Sequence, residues 1–272
     1  MAALIALAAV AHAAAQRSSA RGTTRLPPAA VRHLLWHDEF NGPAGASPDP
    51  AKWTPVVGGA GWGNHELETY TDLLDNAQLD GMGDVVLAAH AQQYTNYDGI
   101  QRDYTSARLA TDQHFAFRYG LMEARIRIPA GRGILPAFWA LEQSPPPGSD
   151  PAEIDAMEVI GSSPRVLYGT LHGPWPWAPT GVERTLRAPL ALSAGFHVYG
   201  VWWTPRQISF LLDGRLYARL RPADLRRGSA WPFRDPYSLI LDVAVGGDWP
   251  GPPDATTPLP AAMTVDWVRV WQ

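Results

Sequence analysis

Turn-forming residues interrupt this sequence at short and regular intervals. From Leu34 onward, short apolar or alternating runs are separated by Gly, Pro, Asn and Asp at about every tenth residue. The chain of 272 residues holds 26 prolines and 25 glycines, and no stretch keeps a helical period of apolar residues. Proline ends helices because it lacks an N–H and clashes with the preceding turn. The pattern therefore predicts an all-β fold of two facing antiparallel sheets, one of them concave, with a groove for an extended polymer.

The predicted strands are the runs between these turns. They cover residues 34–40, 85–92, 106–109, 120–128, 136–142, 153–159, 166–172, 197–203, 207–212, 237–245 and 263–271. Asp213-Gly214 lies between two apolar runs, which predicts a hairpin because Asp-Gly suits a type I′ turn.

Composition narrows the classes of function and partner. The net charge is −4, so the chain lacks the basic surface with which proteins bind nucleic acid or an anionic membrane. The 12 tryptophans serve either as a sheet core or as flat platforms on which sugar rings pack. We therefore expect a polysaccharide partner, no nucleic acid, no membrane and a monomeric protein.

The N-terminus indicates export. Residues 1–15 are almost wholly small and apolar, and Ala11-His12-Ala13 fits a signal cleavage site, although no Lys or Arg precedes the apolar run. About 13 apolar residues are too few to span a bilayer. We predict a signal peptide over 1–15, a flexible leader over 16–31 and one domain over 32–272 in an extracellular or periplasmic protein. The chain has no cysteine, and a core of this size does not need disulfides.

One short segment, Glu153-Ile154-Asp155-Ala156-Met157-Glu158, concentrates three carboxylates. Side chains alternate faces along a strand, so Glu153 and Asp155 share a side while Glu158 points to the other. A β-bulge at Ala156-Met157 corrects this, because two residues then oppose one on the neighbouring strand. With the bulge, all three acids project into one cleft.

The spacing of these acids is typical of a site that cleaves glycosidic bonds. Four strand steps separate the two glutamate Cα atoms by roughly 13 Å, and side chains that lean inward bring the carboxyl groups to roughly 5–7 Å. Retaining glycosidases hold their two carboxyls about 5–5.5 Å apart, so we favour retention. The structural alternative is an exposed acidic strand, since on a helix the three acids do not form one stripe.

Eight further segments accompany the motif. They are 36–40 (Trp-His-Asp-Glu-Phe), 61–67 (Gly-Trp-Gly-Asn-His-Glu-Leu), 104–109 (Tyr-Thr-Ser-Ala-Arg-Leu), 119–125 (Tyr-Gly-Leu-Met-Glu-Ala-Arg), 136–139 (Pro-Ala-Phe-Trp), 196–199 (Phe-His-Val-Tyr), 244–247 (Ala-Val-Gly-Gly) and 265–271 (Val-Asp-Trp-Val-Arg-Val-Trp). Together these segments resemble glycoside hydrolase family 16 and, within it, the bacterial laminarinase-like endo-β-1,3-glucanases. The resemblance extends over nearly all of 34–272 and implies a β-jelly-roll sandwich.

The resemblance also implies roles for the three acids. Glu153 is expected to be the nucleophile, which attacks the anomeric carbon to give a glycosyl-enzyme. Glu158 is expected to protonate the leaving oxygen and then to deprotonate water. The charge of Asp155, between them, raises the proton affinity of a neighbouring glutamic acid, and its oxygen orients the nucleophile.

The expected substrate-binding residues carry aromatic rings or hydrogen-bonding groups. Trp139 is the leading sugar platform, and the alternative is that it is a core tryptophan. Arg108 either binds sugar hydroxyls or pairs with an acid on a neighbouring strand. His172 is either a cleft residue or a structural one. Leu135, where relatives have tryptophan, and Asp242, where Asn is common, are departures from the family. The full predicted set is Trp139, Asn64, Arg108, His172, Trp62 and Trp175.

The resemblance implies a structural calcium site on the convex side, with Glu39, the Gly81 carbonyl and Asp266 as ligands. Hard oxygen ligands suit Ca²⁺. No cofactor is expected for catalysis.

The leading function is that of a secreted endo-β-1,3-glucanase, with mixed β-1,3/1,4-glucan as a further substrate. One alternative is a non-catalytic glucan-binding protein, because family members that lost the glutamates act in recognition; here all three acids are present. Another alternative keeps the chemistry but changes the polymer to a galactan or adds transglycosylation.

Overall fold

The computed structural model describes residues 33–97, 99–178 and 181–272. The predicted signal peptide at 1–15 and leader at 16–31 lie outside the described residues, as does residue 32 at the start of the predicted domain. None of the helices in the described part of the chain is long and apolar enough to cross a membrane.

Almost all regular structure is β. The strands are β1 (Leu34–Asp38), β2 (Thr54–Pro55), β3 (Glu68–Tyr70), β4 (Ala77–Leu79), β5 (Val85–Ala89), β6 (Tyr94–Thr95), β7 (Gln101–Arg102), β8 (Tyr104–Ser106), β9 (Arg108–Ala110), β10 (Gly120–Arg127), β11 (Ile134–Glu142), β12 (Glu153–Glu158), β13 (Val166–His172), β14 (Val182–Arg187), β15 (His197–Thr204), β16 (Gln207–Leu212), β17 (Arg215–Leu220), β18 (Tyr237–Val245) and β19 (Ala261–Trp271). Two short 3₁₀ helices lie at Leu192–Ala194 and Pro222–Asp224.

Two large antiparallel sheets form the fold. The sheet that we call the back sheet has the order β17-β16-β15-β10-β19-β5-β4, with β1 also paired to β19. The other, the cleft sheet, has the order β14-β13-β12-β11-β18-β9-β2. This arrangement confirms the predicted all-β jelly-roll sandwich.

The core lies between the two sheets and follows from alternation along their strands. On β10 of the back sheet, Met122, Ala124 and Ile126 are buried, whereas the residues between them point outward. On β18 of the cleft sheet all nine residues are buried. One face of β18 packs in the core, and Asp242 and Ala244 on its other face line a cleft.

Turn chemistry and strand pattern account for most element positions. Asp213 and Gly214 have φ of 50° and 69°, as a type I′ turn requires, so the predicted hairpin between β16 and β17 is confirmed. The sequence analysis missed β2, β3, β4, β6 and β7, which are only two or three residues long. It also missed β14, because Val182–Arg187 is mostly polar and lies on a sheet edge with every second residue exposed.

Candidate active site

The predicted β-bulge is present in the acidic strand. Toward β11, Phe138 pairs with Met157 and Trp139 pairs with Asp155, so Ala156 is the extra residue. Toward β13, the register also shifts between Asp155 and Glu158. Ala156 and Met157 are fully buried in the core. The bulge therefore turns Glu158 back to the face from which Asp155 projects.

All three acids line one cleft. The cleft has a volume of about 1060 Å³ and includes Glu153, Asp155 and Glu158 in its wall. The strands that line it are β13 and β14 on one side of β12 and β11, β18 and β9 on the other, and loop residues such as Trp62, Asn64 and Trp249 complete the wall. The cleft thus runs across the strands, with the acids in its middle.

Glu153 and Asp155 form a coupled pair beside His172. Asp155 is 1% exposed, and its Oδ2 lies 3.3 Å from His172 Nε2, while Glu153 Oε1 lies 3.7 Å from the same nitrogen. Burial, and then the neighbouring Asp155 charge, raise the pKa of Glu153 well above its usual range; burial, and then Glu158, do the same for Asp155. The two carboxyls also hydrogen-bond each other, so one proton lies between them.

Glu158 has a raised pKa and keeps its proton up to about neutral pH. Burial, and then the charge of Glu153, raise its pKa to about 7, while the His172 ring and the Thr170 hydroxyl lower it. Thr170 Oγ1 donates to Glu158 Oε2 at 2.9 Å. A carboxyl with a pKa near neutrality is suited to general acid–base work.

An arginine lies between two indoles in the cleft wall. The Arg108 guanidinium carbon is 4.7 Å from the ring centroids of both Trp62 and Trp139. Trp139 Nε1 donates to Asp242 Oδ1 at 2.6 Å, and Trp62 Nε1 donates to the Gly58 carbonyl at 3.2 Å. These bonds fix both indoles, and both line the cleft.

Most of the predicted substrate-binding set reaches the cleft. Trp139, Asn64, Arg108, His172 and Trp62 all line it. Their contacts with a sugar stay predictions, but their placement fits that role.

The expectation that Trp175 binds substrate is wrong. Its side chain is 4% exposed, and its ring packs edge-on against Phe233 at 5.9 Å and stacks on Trp177 at 5.8 Å. Its Nε1 donates to the Ala230 carbonyl at 2.9 Å. Trp175 is therefore a core residue, and the neighbouring Gly173 lines the cleft instead.

The predicted calcium ligands fit that role only in part. Both carboxylate oxygens of Glu39 accept from Arg269, at 2.9 and 2.7 Å, so a calcium ion at this side chain has to share or displace these contacts. Asp266 pairs with Arg125 through Oδ2, and its charge contributes to the raised pKa of Asp84, in the same turn as Gly81. The calcium site stays a prediction, on Glu39, the Gly81 carbonyl and Asp266.

A second group of side chains lies close enough to hold a metal ion. Oxygens of Glu153 and Asp155 and a ring nitrogen of His172 all lie within 4.8 Å of one another. These groups are the predicted catalytic ones, and their geometry is already accounted for by carboxyl–carboxyl and carboxyl–histidine contacts.

Glu66 and Thr170 are among the cleft residues that the sequence analysis missed. Glu66 lines the cleft, and in the sequence it is only one residue of the 61–67 segment. Thr170 lies two residues before His172 on β13 and shares its face, so strand alternation was a usable signal for it.

A sequence model of the glycosyl hydrolases family 16 matches residues 74–269. The chain belongs to glycosyl hydrolase family 16. A β-glucanase from Rhodothermus marinus is 40% identical to this family 16 glycosyl hydrolase over 266 residues, covering 92% of this chain and 89% of the relative.

Solved structures agree with this family 16 fold. An endo-β-1,3-glucanase from Pyrococcus furiosus matches with a TM-score of 0.81 and 38% identity, covering 88% of this chain and 94% of the other. A laminarinase catalytic domain from Thermotoga maritima matches with a TM-score of 0.80 and 37% identity, covering 88% and 98%. The family resemblance seen in the sequence is confirmed, and the protein is a glycoside hydrolase.

Proposed function

We propose that this glycosyl hydrolase is a secreted endo-β-1,3-glucanase that acts by a retaining double displacement. The observation that carries the proposal is the bulged strand β12, which places Glu153, Asp155 and Glu158 in one cleft. The names of the β-glucanase and laminarinase relatives support β-1,3-glucan as the substrate.

Glu158 is the proposed acid and base. Its pKa of about 7 keeps it protonated below neutral pH, so it can give a proton to the oxygen that leaves the anomeric carbon. After that step the ionised Glu158 takes a proton from water, which attacks the glycosyl-enzyme and releases the product.

Glu153 is the proposed nucleophile. Its side chain is 27% exposed and faces the cleft, whereas that of Asp155 is 2% exposed. In the free enzyme the contact between the two carboxyls raises the pKa of Glu153 and lowers that of Asp155, so the shared proton is on Glu153. For the attack on the sugar this proton has to move to Asp155, where the deeper burial favours the neutral form. Asp155 then donates a hydrogen bond to Glu153, which is left ionised and oriented toward the sugar.

The form of the cleft favours endo action. Lining side chains lie on both sides of β12: Glu183 on β14 on one side and Arg108 on β9 on the other. A polymer lying across the strands therefore contacts the protein on both sides of the bond to be cleaved. Trp139 and Trp62 offer apolar ring surfaces of the kind on which sugars pack.

The substrate range is the less constrained part of the proposal. Leu135 lines the cleft at a position where the family resemblance implies tryptophan, so we expect one sugar platform fewer. Glucan chains of mixed β-1,3/1,4 linkage are proposed as a further substrate. The presence of all three acids disfavours a purely glucan-binding role.

Product analysis tests the proposal. Purified protein is incubated in parallel with laminarin, mixed-linkage glucan, agarose and carrageenan, with Glu153→Gln as control. Short oligosaccharides from laminarin that are absent with the variant are expected. Binding without products would establish a recognition protein instead, and products from a galactan alone would keep the mechanism but contradict the substrate.

A further inference from the structure

A carboxyl group lies buried behind the cleft wall. Glu68, on β3, is fully buried, and its Oε2 accepts the Val245 backbone N–H at 2.7 Å. Its Oε1 is also buried, and no group among the described residues donates a hydrogen bond to it. A buried carboxylate oxygen without a partner is costly, so Oε1 requires a proton of its own or a donor.

Glu66 is the acid that faces Glu68. It lines the cleft and is 9% exposed, and the two carboxyl groups hydrogen-bond each other, which requires a proton on one of them. Burial raises the pKa of Glu66 to about 7, and burial with the charge of Glu66 raises the pKa of Glu68 well above its usual range. At neutral pH Glu68 is therefore the neutral acid, and its O–H donates to Glu66.

Tyr70 connects this pair to a third acid. Its hydroxyl lies 3.1 Å from Glu66 Oε2 and 3.1 Å from Asp242 Oδ2. A phenol has a single proton, so Tyr70 donates to one of the two carboxyls at a time. When Glu66 is protonated, it donates to the Tyr70 oxygen and Tyr70 donates to Asp242. When Glu66 has lost its proton to the water of the cleft, it competes with Asp242 for the Tyr70 proton.

Asp242 joins these groups to the sugar platform. Its Oδ1 accepts the Trp139 indole N–H at 2.6 Å. Arg108 is the cation beside them: its guanidinium lies 6.0 Å from the Tyr70 ring, and its charge lowers the pKa of both Glu66 and Asp242. The titratable and charged groups that face one another here are Glu66, Glu68, Tyr70, Asp242 and Arg108, and the charge of Asp242 also raises the pKa of Asp155 and Glu158 on the neighbouring part of the cleft.

We propose that Glu68 is a positioning residue, which orders a hydrogen-bonded chain through Glu66, Tyr70 and Asp242 and thereby fixes the indole of Trp139 for glucan binding. The proposal rests on the proposed function for the identity of the ligand. While Glu66 holds its proton, every donor in this hydrogen-bonded chain donates toward Asp242. The chain loses that order when Glu66 ionises, so glucan affinity falls as the pH rises through neutrality.

The direct test follows the indole N–H of Trp139 by ¹H–¹⁵N NMR, from about pH 5.5 to about pH 8.5, across the range in which Glu66 titrates. The resonance is identified by its absence in Trp139→Phe. In the wild-type protein we expect it to shift with a midpoint near neutrality, and in Glu66→Gln we expect that shift to vanish. A resonance that does not move in the wild type, or that moves equally in Glu66→Gln, would overturn the proposal.

Two substitutions at Glu68 separate positioning from simple packing. The amide of Glu68→Gln still donates to Glu66 and accepts from Val245, so the Trp139 resonance at acidic pH should stay in place; Glu68→Leu lacks the donor and should move it. Glu142→Gln is the matched control, because Glu142 is a buried carboxyl that accepts a backbone N–H from Ala152. Equal movement in Glu68→Gln, Glu68→Leu and Glu142→Gln would contradict the proposal.

Laminarin binding supplies the functional readout. In the Glu153→Gln background, adding Glu68→Leu should weaken laminarin binding several-fold, while in the active enzyme Glu68→Leu should raise KM with little change in kcat. An effect on kcat alone would contradict a role through Trp139. A protein that neither binds nor cleaves laminarin would refute the proposed function, yet the indole titration would still decide whether the chain is coupled to Trp139.

Discussion

Burial, the Glu153 charge, the His172 ring and the Thr170 hydroxyl together set the pKa of Glu158, and Thr170 is the one whose contribution a single substitution removes cleanly. Its hydroxyl donates to Glu158 Oε2 at 2.9 Å, and the residue is 3% exposed, so water does not readily take its place. The bond favours the ionised carboxylate and holds the pKa of Glu158 at about 7, below the value that burial and the Glu153 charge alone would give. Thr170→Val keeps the shape of the side chain and removes the donor.

The size of the effect follows from the strength of that bond. A hydrogen bond to a charged group is worth about 1.5–3 kcal/mol, and one pKa unit corresponds to about 1.4 kcal/mol. We take the lower value because the cleft is open to water, and expect the pKa of Glu158 to rise by about one unit in Thr170→Val. The acid must be protonated to act, so the alkaline fall in kcat/KM should begin about one pH unit higher.

The assay is the pH dependence of kcat/KM on laminarin, measured from new reducing ends. One unit above the wild-type midpoint, roughly half of the variant holds the proton against roughly a tenth of the wild type, which is about a five-fold difference relative to each maximum. Thr170→Ser, which retains a hydroxyl, is the control and should behave as the wild type. An alkaline limb that stays in place or moves to lower pH in Thr170→Val would refute the reasoning.

Three other predictions concern the acid, a core tryptophan and calcium. Glu158→Ala should lower turnover of laminarin by about 10²–10⁴-fold but affect an aryl glucoside with a good leaving group far less, with partial recovery in azide; equal losses on both substrates would argue against Glu158 as the acid. Trp175→Ala should lower the free energy of unfolding, measured with chemical denaturant, by about 3–5 kcal/mol, while the folded protein keeps its KM. A raised KM with an unchanged free energy of unfolding would indicate that Trp175 binds substrate. Calcium added to chelator-treated protein should raise Tm by several degrees through the predicted ligands Glu39, Gly81 and Asp266, and Asp266→Ala should remove the rise; an unchanged Tm at saturating calcium would contradict the site.

The acid triplet was predictable because local rules alone determine it. Strand alternation sets the face of each residue, and the three acids share a face only with one extra residue. The bulge at Ala156-Met157 is therefore implied by the motif as soon as a common cleft is assumed. The turn at Asp213-Gly214 was predictable for a similar reason, since its backbone preference lies in the two residues themselves.

Contacts between distant parts of the chain were not predictable in this way. Trp139 and Trp175 look alike in sequence, but Trp175 is buried by Ala230 and Phe233, more than fifty residues away. The arginine that pairs with Glu39 is Arg269, at the other end of the chain. Glu66 and Glu68 lie outside the predicted strands, and only the fold connects Glu66 to Asp242 through the Tyr70 hydroxyl.

The most direct test of the central account is the anomeric form of the first product. Hydrolysis of laminarin by the wild-type enzyme is followed by ¹H NMR from the first minutes, before the new reducing ends mutarotate. Retention through Glu153 predicts that the β-anomer appears first and the α-anomer only later, and that Glu153→Gln gives neither. New ends that appear first as the α-anomer would show inversion and contradict the assignment of Glu153 as the nucleophile.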